Sequence, residues 1–320
     1  MKQILQKIKQ YGFVVLLVLI GNYGWGQTWS YDFGASTGTF TNSTASTTFL
    51  PTPTTGGGTS RVRVGTNPGS FVLANPGLSN LGSNSELQIT SNTGSSSTTK
   101  FSIHDFTASK VGYIKFNIVI NGGTNGVYLF SIGDGANYSD NNAIATNQIF
   151  AGIRWTLGAS NTVTCNVLNN TTYGTTGISN STTLFSQSNT NIYSIEVYYN
   201  NENSSKNYSK SGTSYSISNS KWDLWINGTL IGDDLAKGGQ AINTNIDSFA
   251  FNHQSSSSSP GTIYLDDIEY SNALPSNLAP TASAVSFSGT TNVGQTLTGN
   301  YTYSDADTDD QGTSTFKWVS

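Results

Sequence analysis

Beyond residue 27, apolar and polar residues alternate repeatedly with a period of two, and no stretch there sustains a 3.6-residue apolar period. In Tyr113 to Ile120, one face of the run is Ile114, Phe116, Ile118 and Ile120. Val127 to Ile132 follows a glycine-rich turn, and Ile149 to Leu157, Thr162 to Leu168 and Ile192 to Tyr199 carry the pattern on. Lys221 to Ile226 passes through Asn227-Gly228 into Thr229, Leu230 and Ile231. An Asn-Gly pair between two apolar runs is a strong hairpin signal, because both turn positions need φ > 0. Asp247 to His253 and Thr262 to Tyr270 close the series, giving about nine or ten strands. The pattern predicts an all-β chain folded as an antiparallel two-sheet sandwich.

Thr41 to Ser60 and Asn200 to Ser220 are polar and lack alternation, so surface loops are expected there, with a shorter one at Ser255 to Ser259. Two prolines frame a linker over residues 272–280. Past it the alternation resumes at Ala284 to Ser288, Thr296 to Tyr303 and Thr315 to Val319. An Ig-type sandwich takes about 100 residues. Residues 281–320 are therefore expected to be the start of a second, truncated β-domain.

The first residues break this pattern. Lys2, Lys7 and Lys9 precede an unbroken apolar run from Phe13 to Ile20, and Gly24 and Gly26 put small residues at the −3 and −1 positions of a cut. That is the layout of a secretory signal peptide over residues 1–26, and its apolar run is far short of the ~20 residues a spanning helix needs. The expectation is export to the cell surface or beyond, with no membrane-spanning segment after signal removal. The formal charge of the whole chain is −4; losing three of its 14 basic residues and none of its 18 acidic ones takes it to −7. So few cations exclude nucleic acid as a partner. Cys165 is the single cysteine and shares a strand face with Val163 and Val167, so it reads as a buried apolar residue and no internal disulfide can form. Charged residues make up 10% of the chain and aromatics 12%, a balance that opposes disorder and suits strands joined by polar turns.

Two stretches carry a resemblance. KWDLWING at 221–228, DSFAFNH at 247–253 and TIYLDDIEY at 262–270 together resemble concanavalin A-like, laminin G-like jelly rolls of secreted bacterial proteins. That resemblance covers residues 27–271. VGQTLTG and YSDAD, within residues 279–320, resemble an Ig-like repeat of large bacterial surface proteins. The first implies a jelly-roll sandwich that binds glycans or proteins, or that sits beside a catalytic module. The second implies a spacer.

Candidate chemistry is sparse. Gly34 to Gly38 fits G-x-S-x-G, but no helix pattern follows to make a nucleophile elbow. The four glutamates Glu86, Glu196, Glu202 and Glu269 do not fall in the spacing of a glycosidase carboxylate pair, so no catalytic residue is assigned. His104 and His253 have no ligand spacing for zinc. Calcium is the ion the chain would take, either at Asp305, Asp307, Asp309 and Asp310 or at Asp266 and Asp267 near the closing strand. For a sugar, exposed aromatics would serve as stacking platforms. Trp222 and Trp225 have opposite parity, so one is expected inward and the other outward, and Tyr199 and Tyr208 lie nearby. Trp225 and Tyr208 are the favoured ligand contacts, with Trp222 and Tyr199 beside them. The function expected is non-catalytic binding or adhesion, with a carbohydrate or surface polymer as partner. The alternatives are a structural spacer, or an accessory region of an extracellular polysaccharide-degrading enzyme.

Overall fold

A computed structural model describes residues 26–313, apart from 42, 66–68, 79–80, 83, 91–98, 254–257, 277–279, 291 and 306–310. The expected signal peptide, save Gly26, and the chain from 314 onward lie outside the described residues. The first seven strands are β1 (Thr28–Tyr31), β2 (Gly38–Phe40), β3 (Ala45–Ser46), β4 (Thr59–Arg63), β5 (Ser70–Ala74), β6 (Glu86–Thr90) and β7 (Thr99–His104). Next come β8 (Val111–Gly123), β9 (Val127–Gly133), β10 (Ile149–Leu157), β11 (Thr162–Asn169), β12 (Thr172–Gly174), β13 (Phe185–Ser186) and β14 (Tyr193–Asn200). The series ends with β15 (Lys206–Lys210), β16 (Thr213–Ile217), β17 (Lys221–Ile226), β18 (Thr229–Ala236), β19 (Ser248–His253), β20 (Pro260–Ser271), β21 (Thr281–Ser288) and β22 (Thr298–Ser304). The helical elements among the described residues are two single 3₁₀ turns, so none is long and apolar enough to cross a membrane.

Two antiparallel sheets form the expected jelly-roll sandwich. The first runs β18-β17-β14-β8-β20-β6-β5-β2, with β1 also on β20. The second runs β12-β11-β10-β9-β19-β7-β4-β3, with β13 also on β11. Alternation decides which side chains meet between them. Ile114, Phe116, Ile118 and Ile120 of β8 point inward, as their spacing predicts, against Tyr128, Phe130 and Ile132 of β9. Phe251 sits at the centre, stacked on Phe101 at 6.0 Å and edge-on to Phe116 at 4.8 Å. Cys165 is buried with Val163 and Val167, and burial pushes its thiol up to about 12.

Local chemistry sets the turns. Asn227 and Gly228 both have positive φ, so β17 and β18 join through the expected turn. In β20 the register shifts between Asp266 and Glu269, and Asp267 takes a φ of 51°. The inward set is therefore Ile263 and Leu265 before this bulge, and Ile268 and Tyr270 after it. One expectation fails: Asn200 to Ser220 is not a plain loop but carries the hairpin β15–β16. Its apolar anchors, Tyr208, Tyr215 and Ile217, are spread thinly among serines, asparagines and lysines, so its alternation is hidden. Beyond the linker, β21 and β22 pair as a separate two-stranded hairpin whose β21 side chains are all exposed.

Phe251 bears on both sheets. Phe251→Ala should cost about 3–5 kcal/mol of unfolding free energy, read from urea denaturation. Ser286→Ala, on the exposed hairpin, should leave the midpoint unchanged.

Candidate functional site

The outward face of the first sheet is itself aromatic where β8, β14 and β17 run side by side. Parity turns Tyr113, Tyr198 and Trp225 away from the main core, and the β15–β16 hairpin folds over them with Tyr208, Tyr215 and Ile217. The rings form a ladder. Tyr113 lies 5.7 Å from Tyr198, Tyr198 stacks on Tyr208 at 4.3 Å, and Tyr208 stacks on Tyr215 at 5.4 Å. Trp225 meets Tyr215 edge-on at 4.9 Å.

Polar groups lock this layer. The Trp225 indole N–H donates to the Tyr208 hydroxyl at 2.8 Å, and that hydroxyl donates to Asp223 Oδ2 at 2.9 Å. The other Asp223 oxygen accepts the Asp234 backbone N–H. Asp223 is fully buried, and desolvation, opposed by these hydrogen bonds, pushes its carboxyl up to about 6. Burial likewise raises the Tyr198 and Tyr208 hydroxyls, reinforced by the carboxylates of Glu196 and Asp223. Lys210 Nζ lies 2.6 and 2.8 Å from the two oxygens of Glu196, which also accepts from Tyr198 at 2.6 Å. The same ammonium stands 5.0 Å above the Trp225 ring. Lys115 Nζ lies 3.5 Å from Glu269, which accepts from Tyr113 at 2.8 Å.

Where the linker crosses the hairpin, two adjoining clefts open. The Ser209 backbone N–H donates to the Pro275 carbonyl at 2.8 Å, tying linker to β15. One cleft, of about 210 Å³, is lined by Tyr198, Lys115 and Lys210 together with Ser209, Ser211, Pro275 and Ser276. The other, of about 230 Å³, shares Ser209, Pro275 and Ser276 and adds Asn207, Tyr208 and Ser214. The described lining of both holds hydroxyls, amides, ammonium groups and a proline, with no carboxylate.

The expected stacking platforms need correction. Trp222 and Tyr199 belong to the inter-sheet core and are fully buried. Trp225 does face outward, as its parity requires, but the hairpin covers it, and Tyr208 is buried as one of the hairpin's own covering rings. None of the four offers an open ring face. The residues that the sequence left unmarked are Lys115, Lys210, Ser209 and the linker's Pro275 and Ser276; their spacing carries no signal, because a fold-back of residues 200–220 brings them together.

Of the carboxylates expected to take calcium, the neighbours Asp266 and Asp267 are separated by the local backbone. The β20 bulge buries Asp266 and exposes Asp267. Asp266 Oδ1 accepts the Asp267 backbone N–H, while Asp267 Oδ2 accepts from Asn117. Desolvation, with the charges of Asp267, Asp32 and Glu86 behind it, pushes Asp266 up to about 7. Among the described residues no three His, Cys, Asp or Glu side chains are grouped to hold a metal ion. Asp305 ends the β22 hairpin, and Asp307, Asp309 and Asp310 lie outside the described residues. His253 is buried edge-on to Tyr128 at 5.2 Å, and desolvation lowers its imidazole to about 4.

No protein-family model matches the chain, and no curated protein matches it in sequence. Solved structures of similar trace include the Emp47p carbohydrate recognition domain, at 9% identity and a TM-score of 0.36, over 60% of this chain and 84% of that one. Another is the carbohydrate-binding module CBM66 from Bacillus subtilis, at 10% identity and a TM-score of 0.31, over 57% and 85%. The binding domain of botulinum neurotoxin serotype D matches at 14% identity and a TM-score of 0.41, over 78% of this chain and 48% of that one. These likenesses concern the chain trace, and no residue role is carried over from them.

Because Asp223 keeps its proton to higher pH when folded, the folded state binds more protons between the ordinary carboxylate value and about 6, and stability falls as pH rises through that window. Asp223→Asn should therefore gain on the native protein across it, by on the order of 2–3 kcal/mol, and hold a constant difference above it. Urea denaturation at a series of pH values measures this; a flat difference throughout would refute it.

Proposed function

We propose that this protein is an exported, non-catalytic module that holds a saccharide in the paired clefts where the linker crosses the β15–β16 hairpin. The observation that carries the reading is the described lining: hydroxyls and amines gathered around one proline, on a floor fixed by stacked tyrosines. Sugar hydroxyls pair with such groups, and an apolar ring edge fits against Pro275. Each cleft is smaller than the ~300–1,000 Å³ that encloses a drug-sized ligand. Each would take one ring of a longer chain. Recognition is then by hydrogen bonds to hydroxyl, ammonium and backbone groups rather than by an open aromatic platform.

The non-catalytic part of the reading is supported by the carboxylates around the clefts. Glycoside hydrolysis needs two carboxyl groups flanking the bond. Glu196 and Glu269 instead stand outside the described lining, each already hydrogen-bonded to a tyrosine and paired with a lysine. Export is supported by the leader-like residues 1–26. Residues 281–320 would serve as an Ig-like spacer, a reading supported by the repeat-like sequence and by the β21–β22 hairpin.

Ser276 is exposed and borders both clefts. Ser276→Trp should fill them, abolishing retention on a glycan array while leaving the thermal midpoint within about 1 °C, as for most surface substitutions. Absence of any glycan bound by the native protein, or binding unaffected by Ser276→Trp, would sink the reading.

A further inference from the structure

The cleft over Tyr198 is bordered by two lysines, each paired with a glutamate. Lys115 and Lys210 both line it, and their partners Glu269 and Glu196 do not. A ligand entering it meets two ammonium groups, on a chain whose formal charge is −4. The two lysines are held differently. Lys210 is a fixed post: it grips both oxygens of a nearly buried Glu196 and lies over Trp225. An ammonium has three donors, so Lys210 keeps one N–H beyond those two bonds. Lys115 is looser. Its 3.5 Å approach to Glu269 is longer than a normal charged hydrogen bond, and both side chains are 36% exposed. Ion pairs at such exposure are worth little, so Lys115 can turn to another anion at small cost.

We infer that the saccharide held here carries an anionic substituent, a carboxylate or a sulfate ester, seated between Lys115 and Lys210. This rests on the saccharide reading of the same cleft and adds the ligand's charge. A neutral hydroxyl could accept one N–H from either lysine. An anion accepts from both in charge-assisted bonds, which are roughly twice as strong as neutral ones. Lys115 would then exchange Glu269 for the ligand, and Glu269 keeps its bond from Tyr113 and its exposure to water.

Calorimetric titration of the full chain with four oligosaccharides tests this: a galacturonic acid trimer, its full methyl ester, a neutral galactose trimer and a sulfated galactose trimer. The native protein should bind the acid or the sulfated trimer about tenfold more tightly than the ester and the neutral trimer, the gain of about one charge-assisted bond. Which of the two anions is preferred identifies the substituent. The preference should shrink in high salt. Lys115→Met should erase it, bringing the acid and the sulfated trimer down to the affinity of the ester and the neutral trimer for the same variant. Equal affinity for charged and neutral trimers, or a preference that survives Lys115→Met, overturns the inference and leaves the saccharide reading standing. Failure of all four to bind a protein that still melts cooperatively overturns this inference, and failure on the glycan array as well overturns the saccharide reading.

Discussion

A strand has two faces, and a sandwich covers only one of them. Where β8, β14 and β17 lie together, the second face also carries large rings, and leaving Tyr113, Tyr198 and Trp225 in water would forfeit their burial. The β15–β16 hairpin supplies the missing cover. Its attachment converges on Asp223, a fully buried carboxylate, which accepts from the hairpin through Tyr208 and from β18 through the Asp234 amide. Such a group is tolerated only while its hydrogen bonds are complete. The seating of the hairpin, the tyrosine ladder and the clefts at its edge thus follow from one satisfied, desolvated carboxylate.

Much of the sandwich was legible as alternation. Ile114 to Ile120 needed only a count by twos, and the Asn227-Gly228 turn announced itself through backbone demands that few residue pairs meet. The opposite parity of Trp222 and Trp225 was also readable and correct. What parity cannot say is whether an outward face stays open. The cover came from a segment whose few apolar residues, Tyr208, Tyr215 and Ile217, are diluted in polar ones, so the sequence looked like a loop. The candidate site suffered most from this. Two of its aromatics were found, Trp225 as a buried support and Tyr208 as a support that also lines one cleft, and the lysines and linker residues beside them leave no local trace.

The same face separates anchoring from recognition. Rings and carboxylates form the inner tier, where they hold one another. Hydroxyls, the linker's proline and two ammonium ends form the outer tier around the clefts. A change in the inner tier acts on stability first and reaches the clefts through the hairpin's position or, at Tyr198 and Tyr208, directly. A change in the outer tier touches the clefts directly.

One feature of β20 reaches beyond the site. Its bulge divides a single strand edge between two partners: β6 pairs with residues up to Leu265, and β1 with Ile268 to Ser271. Thr28 thereby lies opposite Ser271, and Gln27 is bonded to Asn272. The chain enters and leaves the sandwich at the same corner. Tension applied through residues flanking this corner would open β1 from β20 one rung at a time, like a zipper drawn from its end. Each second rung of that seam carries a core ring, Trp29 and then Tyr31, so a tethered module of this design would resist at its attachment until those rings were drawn out.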